Sequence, residues 1–166
     1  MGAQNSFDVT TGVDLQEVDN ALNQARKEVA QRYDFKDAKV TIDFKRAEGL
    51  IALAADNDMR MRALFDVVQA KLIRRGVPVK NLDVGEVKPA GGDTLTRAIT
   101  LKQSLDSETA KKVAAAIKEQ KFKKVQAAIM GEQVRVSSGS RDELQTVITF
   151  LKTQDFGVAL QFGNLR

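Results

Sequence analysis

The 166-residue sequence contains no cysteine and no histidine. The absence of cysteine excludes disulfide bonds, thiol redox chemistry and thiolate metal sites. Without histidine, general acid–base catalysis would depend on carboxylates or lysines with strongly shifted pKa values, which nothing in the sequence indicates. The sequence also lacks the phosphate-loop, dinucleotide-binding and hydrolase-nucleophile motifs. We therefore predict a protein that is not an enzyme and that uses no metal and no cofactor.

Long apolar runs are also missing. The longest, Leu50–Ala55, is far shorter than the roughly 20 residues that span a bilayer as a helix. No apolar signal segment follows the first residues, and the short acylation pattern that residues 1–6 match is interpreted as a leader, because such patterns often match by chance. These observations predict a cytoplasmic protein with no membrane partner.

The sequence does contain a pattern that occurs twice, in the order strand–helix–strand–strand–helix–strand. The first copy begins with the alternating strand around Phe7 and Val9 and ends near Val87. Residues 88–93, with one proline and two glycines, are predicted to be a linker, and the second copy follows it. The pattern predicts an α+β fold of two small units, each with a sheet that has one helix-covered face and one free face. Such sheets bind more often than they catalyse.

The charge distribution differs between the two copies. Residues 1–88 contain 14 Lys and Arg against 14 Asp and Glu, whereas residues 89–166 contain 12 against 8. The whole net charge of +4 therefore falls in the second copy. A concentrated basic surplus favours a phosphate-bearing partner, and it is also common in proteins that are merely soluble.

Lysines are densest in residues 118–124, between a predicted helix and a predicted strand. Ammonium groups on flexible stems suit phosphate binding, which makes Lys121, Lys123 and Lys124 candidate phosphate ligands. Phe122 could stack on a nucleobase. The alternative is a solvated helix end, where cations interact favourably with the helix dipole and Phe122 closes the core.

Three other residues carry polar or charged groups on predicted strands. If the hairpin turns at residues 131–132, Gln126 and Arg135 point to the same helix-free face, where they could read a purine edge or a phosphate. The alternative is an ordinary polar sheet face. Arg97 shares a strand side with apolar residues, so we expect it to be internally paired, to lie between domains or to reach a bound anion.

Two aromatic residues, Tyr33 and Phe35, lie between cations at the end of the first predicted helix. Aromatic rings beside cations can form a stacking platform for a base. The alternative is that they end the helix and close the core.

Several segments together resemble the YajQ family of bacterial nucleotide-binding proteins. They are residues 6–9, 13–21, 32–36, 71–77, 101–103, 124–127, 134–136, 140–145 and 162–166. The resemblance implies a tandem of two ferredoxin-like (RNP-like) βαββαβ domains that exchange their N-terminal strands. Residues 12–103 would form the first domain, and residues 1–11 plus 104–166 the second. The contiguous alternative is 1–88 and 89–166.

The resemblance also implies a cytoplasmic nucleotide-binding protein. Some family members are cyclic di-GMP effectors that contact DNA or a transcription regulator, and the fold suggests RNA binding. The chain departs from the family pattern at Ser104, at Ser140 and in residues 126–131. It has neither the recurrent cyclic di-GMP signatures nor the RNA-recognition sheet motif.

The leading hypothesis is a cyclic di-GMP effector that binds its nucleotide near the seam between domains and thereby biases their orientation for a partner. The expected phosphate ligands are Lys121, Lys123, Lys124, Arg135 and Arg97, and the expected stacking residues are Tyr33, Phe35 and Phe122. The alternatives are a module for single-stranded RNA or DNA on the exposed sheet face and a protein-interaction scaffold.

Overall fold

The computed structural model describes residues 4–166; residues 1–3, where the acylation pattern begins, lie outside the described part. The strands are β1 (Asn5–Thr10), β2 (Thr41–Lys45), β3 (Leu50–Ala55), β4 (Leu82–Val84), β5 (Lys88–Ala90), β6 (Thr94–Leu101), β7 (Val125–Met130), β8 (Gln133–Ser138) and β9 (Gln161–Gly163). The α-helices are α1 (Leu15–Gln31), α2 (Asp58–Arg74), α3 (Ser107–Glu119) and α4 (Arg141–Lys152). In residues 4–166 none of the helices is long and apolar enough to cross a bilayer.

The strands form two antiparallel sheets that exchange their first strands. One sheet has the order β7-β8-β1-β9, and the other has the order β2-β3-β6-β4 with β5 also pairing β6. β1 thus pairs with β8 and β9, and β6 lies between β3 and β4. In both sheets the order is that of the second, third, first and fourth strands of a βαββαβ unit. The prediction of two ferredoxin-like arrangements with exchanged strands is confirmed.

The chain folds as two compact units. The middle unit is Val13–Lys102, and the terminal unit joins the segment up to Gly12 with Gln103–Arg166. Each unit has its own apolar core between its sheet and its two helices. The largest fully buried side chains of the middle core are Leu22, Ile51, Leu53, Met61, Leu64, Leu72 and Ile99. Those of the terminal core are Phe7, Val9, Leu105, Leu144 and Leu151.

Each α-helix begins after a polar residue whose side chain accepts a backbone N–H of the first turn. These caps are Asp14, Asn57, Asp106 and Ser140. In a full capping box, the carboxylate of Glu17 would accept a hydrogen bond from the backbone N–H of Asp14. It instead accepts hydrogen bonds from Arg75 Nε at 2.7 Å and Nη2 at 3.1 Å, which is a tertiary contact.

The prediction that residues 88–93 form a linker is wrong. Lys88–Ala90 is β5, which pairs antiparallel with residues 94–96 of β6. Gly92 and Asp93 have positive φ angles of 72° and 60°, which turn the chain into a hairpin. Pro89 fits there because a strand at the edge of a sheet needs no partner for every N–H. Turn-forming residues thus close a hairpin inside the middle unit.

Candidate functional site

The terminal sheet has one face that no helix covers. Phe7, Val134 and Val136 point to the other side and are buried in the core. We call the opposite side the terminal free face; it carries Ser6, Asp8, Thr10, Gln126, Ala128, Met130, Gln133, Arg135, Ser137 and Gln161. None of these residues of the described strands is aromatic.

The pairing of β7 with β8 confirms that Gln126 and Arg135 share this face. Met130 pairs with Gln133 across the two-residue turn, and Ala128 is directly opposite Arg135. Gln126, two residues before Ala128, therefore lies diagonally across from Arg135. The small side chain of Ala128 leaves the guanidinium of Arg135 uncovered on that side, and the arginine side chain is 31% exposed.

A buried carboxylate, Asp8, organises the centre of the terminal free face. Its side chain is 1% exposed, and Oδ1 accepts a hydrogen bond from Arg135 Nε at 3.0 Å. Oδ2 accepts hydrogen bonds from Asn164 Nδ2 at 2.9 Å and from Arg166 Nη2 at 3.4 Å. The hydrogen bond from Arg135 is the main reason that the pKa of Asp8 lies below its usual range. The carboxylate is therefore ionised at neutral pH.

Asp8 was not identified from the sequence. The signal that could have found it is a carboxylate between the core residues Phe7 and Val9 in a strand of the N-terminal segment. Its cationic partner Arg135 is 127 residues away in the chain. Only the exchange of β1 into the terminal sheet makes the two residues neighbours.

The lysine loop, residues 118–124, joins α3 to β7. Its four lysines, Lys118, Lys121, Lys123 and Lys124, are all exposed. Lys121 and Lys124 have positive φ angles of 53° and 56°. Within residues 4–166, none of the four ammonium groups forms an ion pair with a carboxylate. Because β7 begins directly after Lys124, the loop leads onto the strand that carries Gln126.

Phe122 belongs to the core of the terminal unit. Its ring packs edge-to-face on Phe150 of α4, with the ring centroids 5.8 Å apart at 65°. The residue is half-buried and contacts the terminal core cluster. These contacts agree with the alternative in which Phe122 closes the core, and not with a ring left free to stack on a nucleobase.

Arg97 lies in the middle unit, on the helix-covered side of β6. Its guanidinium carbon is 4.5 Å from the centroid of the Phe65 ring. Its Nε donates a hydrogen bond to the carbonyl oxygen of Gly85 at 2.8 Å. These two contacts give the arginine internal partners, which was one of the expected alternatives.

The two aromatics near the end of α1 also belong to the middle unit. Phe35 is buried in the core, with the guanidinium carbon of Arg32 5.3 Å from its ring centroid. Tyr33 is 86% exposed, and the ammonium of Lys36 is 5.9 Å from its ring centroid. A shallow cavity of about 480 Å³ is lined partly by these residues. The structure thus gathers Lys121, Lys123, Lys124, Gln126, Arg135 and Phe122 in the terminal unit and Arg97, Tyr33 and Phe35 in the middle unit.

The two units carry the same surplus of positive charge, contrary to the division of the sequence at residue 88. The middle unit has 16 Lys and Arg against 14 Asp and Glu, and the terminal unit has 10 against 8. The surplus moves because Arg97, Lys102 and Asp93 fold into the middle unit, whereas Asp8 folds into the terminal unit. What singles out the terminal unit is the lysine loop, and not its net charge.

Comparisons with known proteins agree on one family. The family model described as "Nucleotide-binding protein YajQ-like" matches residues 5–166. The chain is 44% identical over 166 residues to a nucleotide-binding protein of Chloroherpeton thalassium, with 100% of both chains covered. It is 48% identical over 164 residues to a nucleotide-binding protein of Streptomyces coelicolor, covering 99% of each chain. The family resemblance seen in the sequence segments is confirmed.

Proposed function

Because the chain belongs to the YajQ-like nucleotide-binding protein family, we propose that it binds a nucleotide on its terminal unit. The phosphates would contact the lysine loop, and the base would lie on the neighbouring part of the terminal free face. The observation that carries this proposal is a run of exposed lysines with no carboxylate partner among the described residues. An anion can bind such ammonium groups without first breaking an internal ion pair.

Arg135 supports the same location through the way in which Asp8 holds it. Of the three guanidinium nitrogens of Arg135, only Nε donates a hydrogen bond to Asp8. The two terminal nitrogens of Arg135 have no partner within residues 4–166. A guanidinium fixed at one edge presents its other donors in a rigid fork, which matches a phosphate or the O6 and N7 acceptors of guanine. Asp8 therefore positions Arg135 for binding as well as offsetting its charge.

We propose cyclic di-GMP as the ligand. It offers two phosphates, for which Lys121, Lys123 and Lys124 supply three free cations on one loop, and it offers guanine edges, for which Arg135 and Gln126 have suitable donors. The chain would then act as a cytoplasmic effector. A DNA or regulator surface that recognises the lysine loop would compete with the nucleotide, because both need the same ammonium groups.

The geometry favours a small nucleotide over a single-stranded RNA or DNA. Modules for single strands stack successive bases on aromatic side chains, and the described residues of the terminal free face include no aromatic. A polar cavity of about 340 Å³ lies at the other end of β7, beside Met130 and Gln133. Six strand residues, or about 20 Å, separate it from the lysine loop, so this cavity lies apart from the proposed phosphate site.

The test is calorimetric titration of the full chain with cyclic di-GMP, GTP, ATP and a short RNA at two salt concentrations. A variant with Lys121, Lys123 and Lys124 replaced by alanine should lose affinity at least about tenfold, because phosphate contacts dominate such binding. The matched control replaces Lys27, Lys39 and Lys45, three exposed lysines of the middle unit, and changes the net charge equally. It should bind as the wild type does.

Each outcome decides a different part of the proposal. Equal affinity of the loop variant and the wild type would show that the lysine loop is not the phosphate site. Affinity that grows with RNA length and falls steeply with salt would favour the single-strand alternative. No binding of any of these ligands by the wild type would overturn nucleotide binding for this chain.

A further inference from the structure

The two sheets have equivalent edge strands, and only one of them is protected. β2 and β7 are each the second strand of their βαββαβ unit, and each lies at the end of its sheet. An edge strand presents N–H and C=O groups that can pair with another chain. Natural proteins therefore block such edges with charges, bulges or covering groups.

β2 is blocked in two ways. The Arg26 side chain reaches from α1 to the strand, where Nε and Nη2 donate hydrogen bonds to the carbonyl oxygen of Ile42 at 3.2 and 2.8 Å. The strand also carries the charged residues Asp43 and Lys45. An incoming strand would have to displace the guanidinium and accommodate both charges.

β7 has neither form of protection. Its six residues, Val125–Met130, include no charge, no proline and no glycine. Ile129 and Met130 are 44% and 46% exposed. No side chain in residues 4–166 forms a hydrogen bond with a backbone group of this strand. Unlike β2, this edge is therefore open to an occupant that pairs with its backbone.

We propose that a second copy of the chain occupies the β7 edge, with the two β7 strands paired antiparallel about a two-fold axis. The two terminal sheets would then form one continuous sheet of eight strands. A two-fold contact of this type uses the same patch on both copies, so the patch must be complementary to itself. The small residues Ala127 and Ala128 at the centre of β7 allow the two backbones to approach without side-chain clashes.

The charges at the two ends of β7 select the antiparallel arrangement. The lysine loop precedes the strand, and Glu132, exposed and without an ion pair within residues 4–166, follows it. Antiparallel pairing brings the lysine loop of each copy to Glu132 of the other. It also keeps the two lysine loops about 20 Å apart, beyond the Debye length of about 8 Å at physiological salt. Parallel pairing would place the two loops together.

The test uses the full chain without nucleotide, so that its outcome is independent of the proposed function. Sedimentation velocity should show the mass rising from 18.2 kDa towards twice that value as the protein concentration increases. The contact is small, so the dimer should be weak and reversible. Hydrogen exchange should slow with concentration in Val125–Met130.

Two variants, each with one exposed isoleucine replaced by lysine, test whether the contact lies at β7. Ile129→Lys places a cation at the end of β7 that would face the lysine loop of the other copy, and it should weaken association at least about fivefold. Ile73→Lys is the matched control, since Ile73 is 51% exposed on α2 of the middle unit. The control should associate as the wild type does. Equal association of both variants would overturn the proposal.

Charge reversal tests the antiparallel direction. Glu132→Lys and Lys123→Glu should each weaken association at low salt, and the double variant should recover part of the loss seen in Glu132→Lys, because each new lysine then meets a carboxylate in the loop of the other copy. Failure of the double variant to recover would overturn this arrangement. A wild-type mass that stays at the monomer value, that rises beyond a dimer, or that rises without protection of Val125–Met130 would equally overturn the proposal.

Discussion

The two units have the same topology and the same charge surplus, yet the terminal unit gathers four lysines without ion pairs in one loop. In the middle unit, several basic side chains form ion pairs with carboxylates; these pairs are Arg32–Glu28, Arg32–Asp34, Arg60–Asp56, Lys71–Glu28 and Arg75–Glu17. In the terminal unit Lys112, Arg135 and Arg166 are paired with carboxylates, whereas the lysine loop has no carboxylate partner among the described residues. Net charge alone therefore does not locate an anion site; a cluster of unpaired cations does.

The free faces of the two sheets differ at their centres. Where the terminal sheet pairs Asp8 with Arg135, the middle sheet pairs Ala98 with Ala52, and Asp43 of β2 is opposite Ala52. The first arrangement holds a guanidinium on the face, whereas the second places two alanines beside a carboxylate. The same scaffold thus presents cationic donors at the centre of one face and not of the other, and function depends on the residues placed on it.

The largest expected effect tests the exchange of first strands. Phe7→Ala should destabilise by about 3–5 kcal/mol, because it leaves a cavity in a closely packed core; Phe7 is 1% exposed and packs edge-to-face on Phe162. Although Phe7 precedes the whole middle unit in the chain, hydrogen exchange should accelerate in β8 of the terminal unit. Chemical denaturation and exchange measured together would show this.

Ile99→Ala is the reciprocal variant. Ile99 is fully buried on β6 in the middle core, and its truncation should cost about 2–5 kcal/mol. Exchange should accelerate in β3, which pairs with β6. If either variant instead loosened the unit that is contiguous with it in sequence, the exchanged arrangement would be wrong.

A smaller effect is expected at the carboxylate that distinguishes the terminal free face. Asp8→Asn keeps the shape of the side chain and removes its charge, so the hydrogen bonds from Arg135 and Arg166 weaken. Hydrogen bonds to charged groups are worth about 1.5–3 kcal/mol, and urea unfolding should show a loss of that order. A stability equal to that of the wild type would mean that the charge of Asp8 contributes nothing to these hydrogen bonds.

Acidification should weaken the contact between α1 and α2 of the middle unit. The pKa of Glu17 on α1 is lowered chiefly by its hydrogen bond from Arg75, and that of Glu28 on α1 chiefly by its hydrogen bond from Lys71. Lys71 lies on α2 and Arg75 directly follows it, so both carboxylates link the two helices.

The direction of the pH effect follows from linkage. A carboxyl group with a lowered pKa in the folded state stabilises the fold above its unfolded pKa of about 4, and that stabilisation is lost as the pH falls through the folded value. Between about pH 5 and pH 3, hydrogen exchange corrected for its intrinsic pH dependence should therefore accelerate in α1 and α2. Unchanged exchange in these two helices over that range would contradict the assignment of the ion pairs that link them.

Periodicity was sufficient to predict the order of elements, and it failed where distant segments meet. The alternation of apolar residues identifies β1 and β8 correctly, because Phe7 and Val9 of β1 and Val134 and Val136 of β8 face the core. It also identifies β7, although no residue of that strand is fully buried. Nothing local says that β1 pairs with β8, and the family resemblance alone suggested the exchange. The linker prediction failed because proline and glycine mark a hairpin as readily as a domain boundary.

The sequence likewise predicted only part of the candidate site. The lysine loop and the shared face of Gln126 and Arg135 follow from spacing and from a two-residue turn. The internal partners of Arg97 do not, because Phe65 and Gly85 become its neighbours only in the folded middle unit. Asp8 was missed for the same reason. Residues whose role depends on contacts between distant strands need the tertiary structure.

The smallest expected effect compares a paired cation with a free one. Arg75→Ala leaves the carboxylate of Glu17 without its partner at 2.7 Å and removes a link between α1 and α2, so the melting temperature should fall slightly. Lys123→Ala removes an ammonium that has no ion pair among the described residues and lies among other cations. Its melting temperature should stay the same or rise slightly as like-charge repulsion is relieved, and added salt should reduce both differences. A destabilised Lys123→Ala would mean that the loop lysines support the fold, and their availability for an anion would then have to be reconsidered.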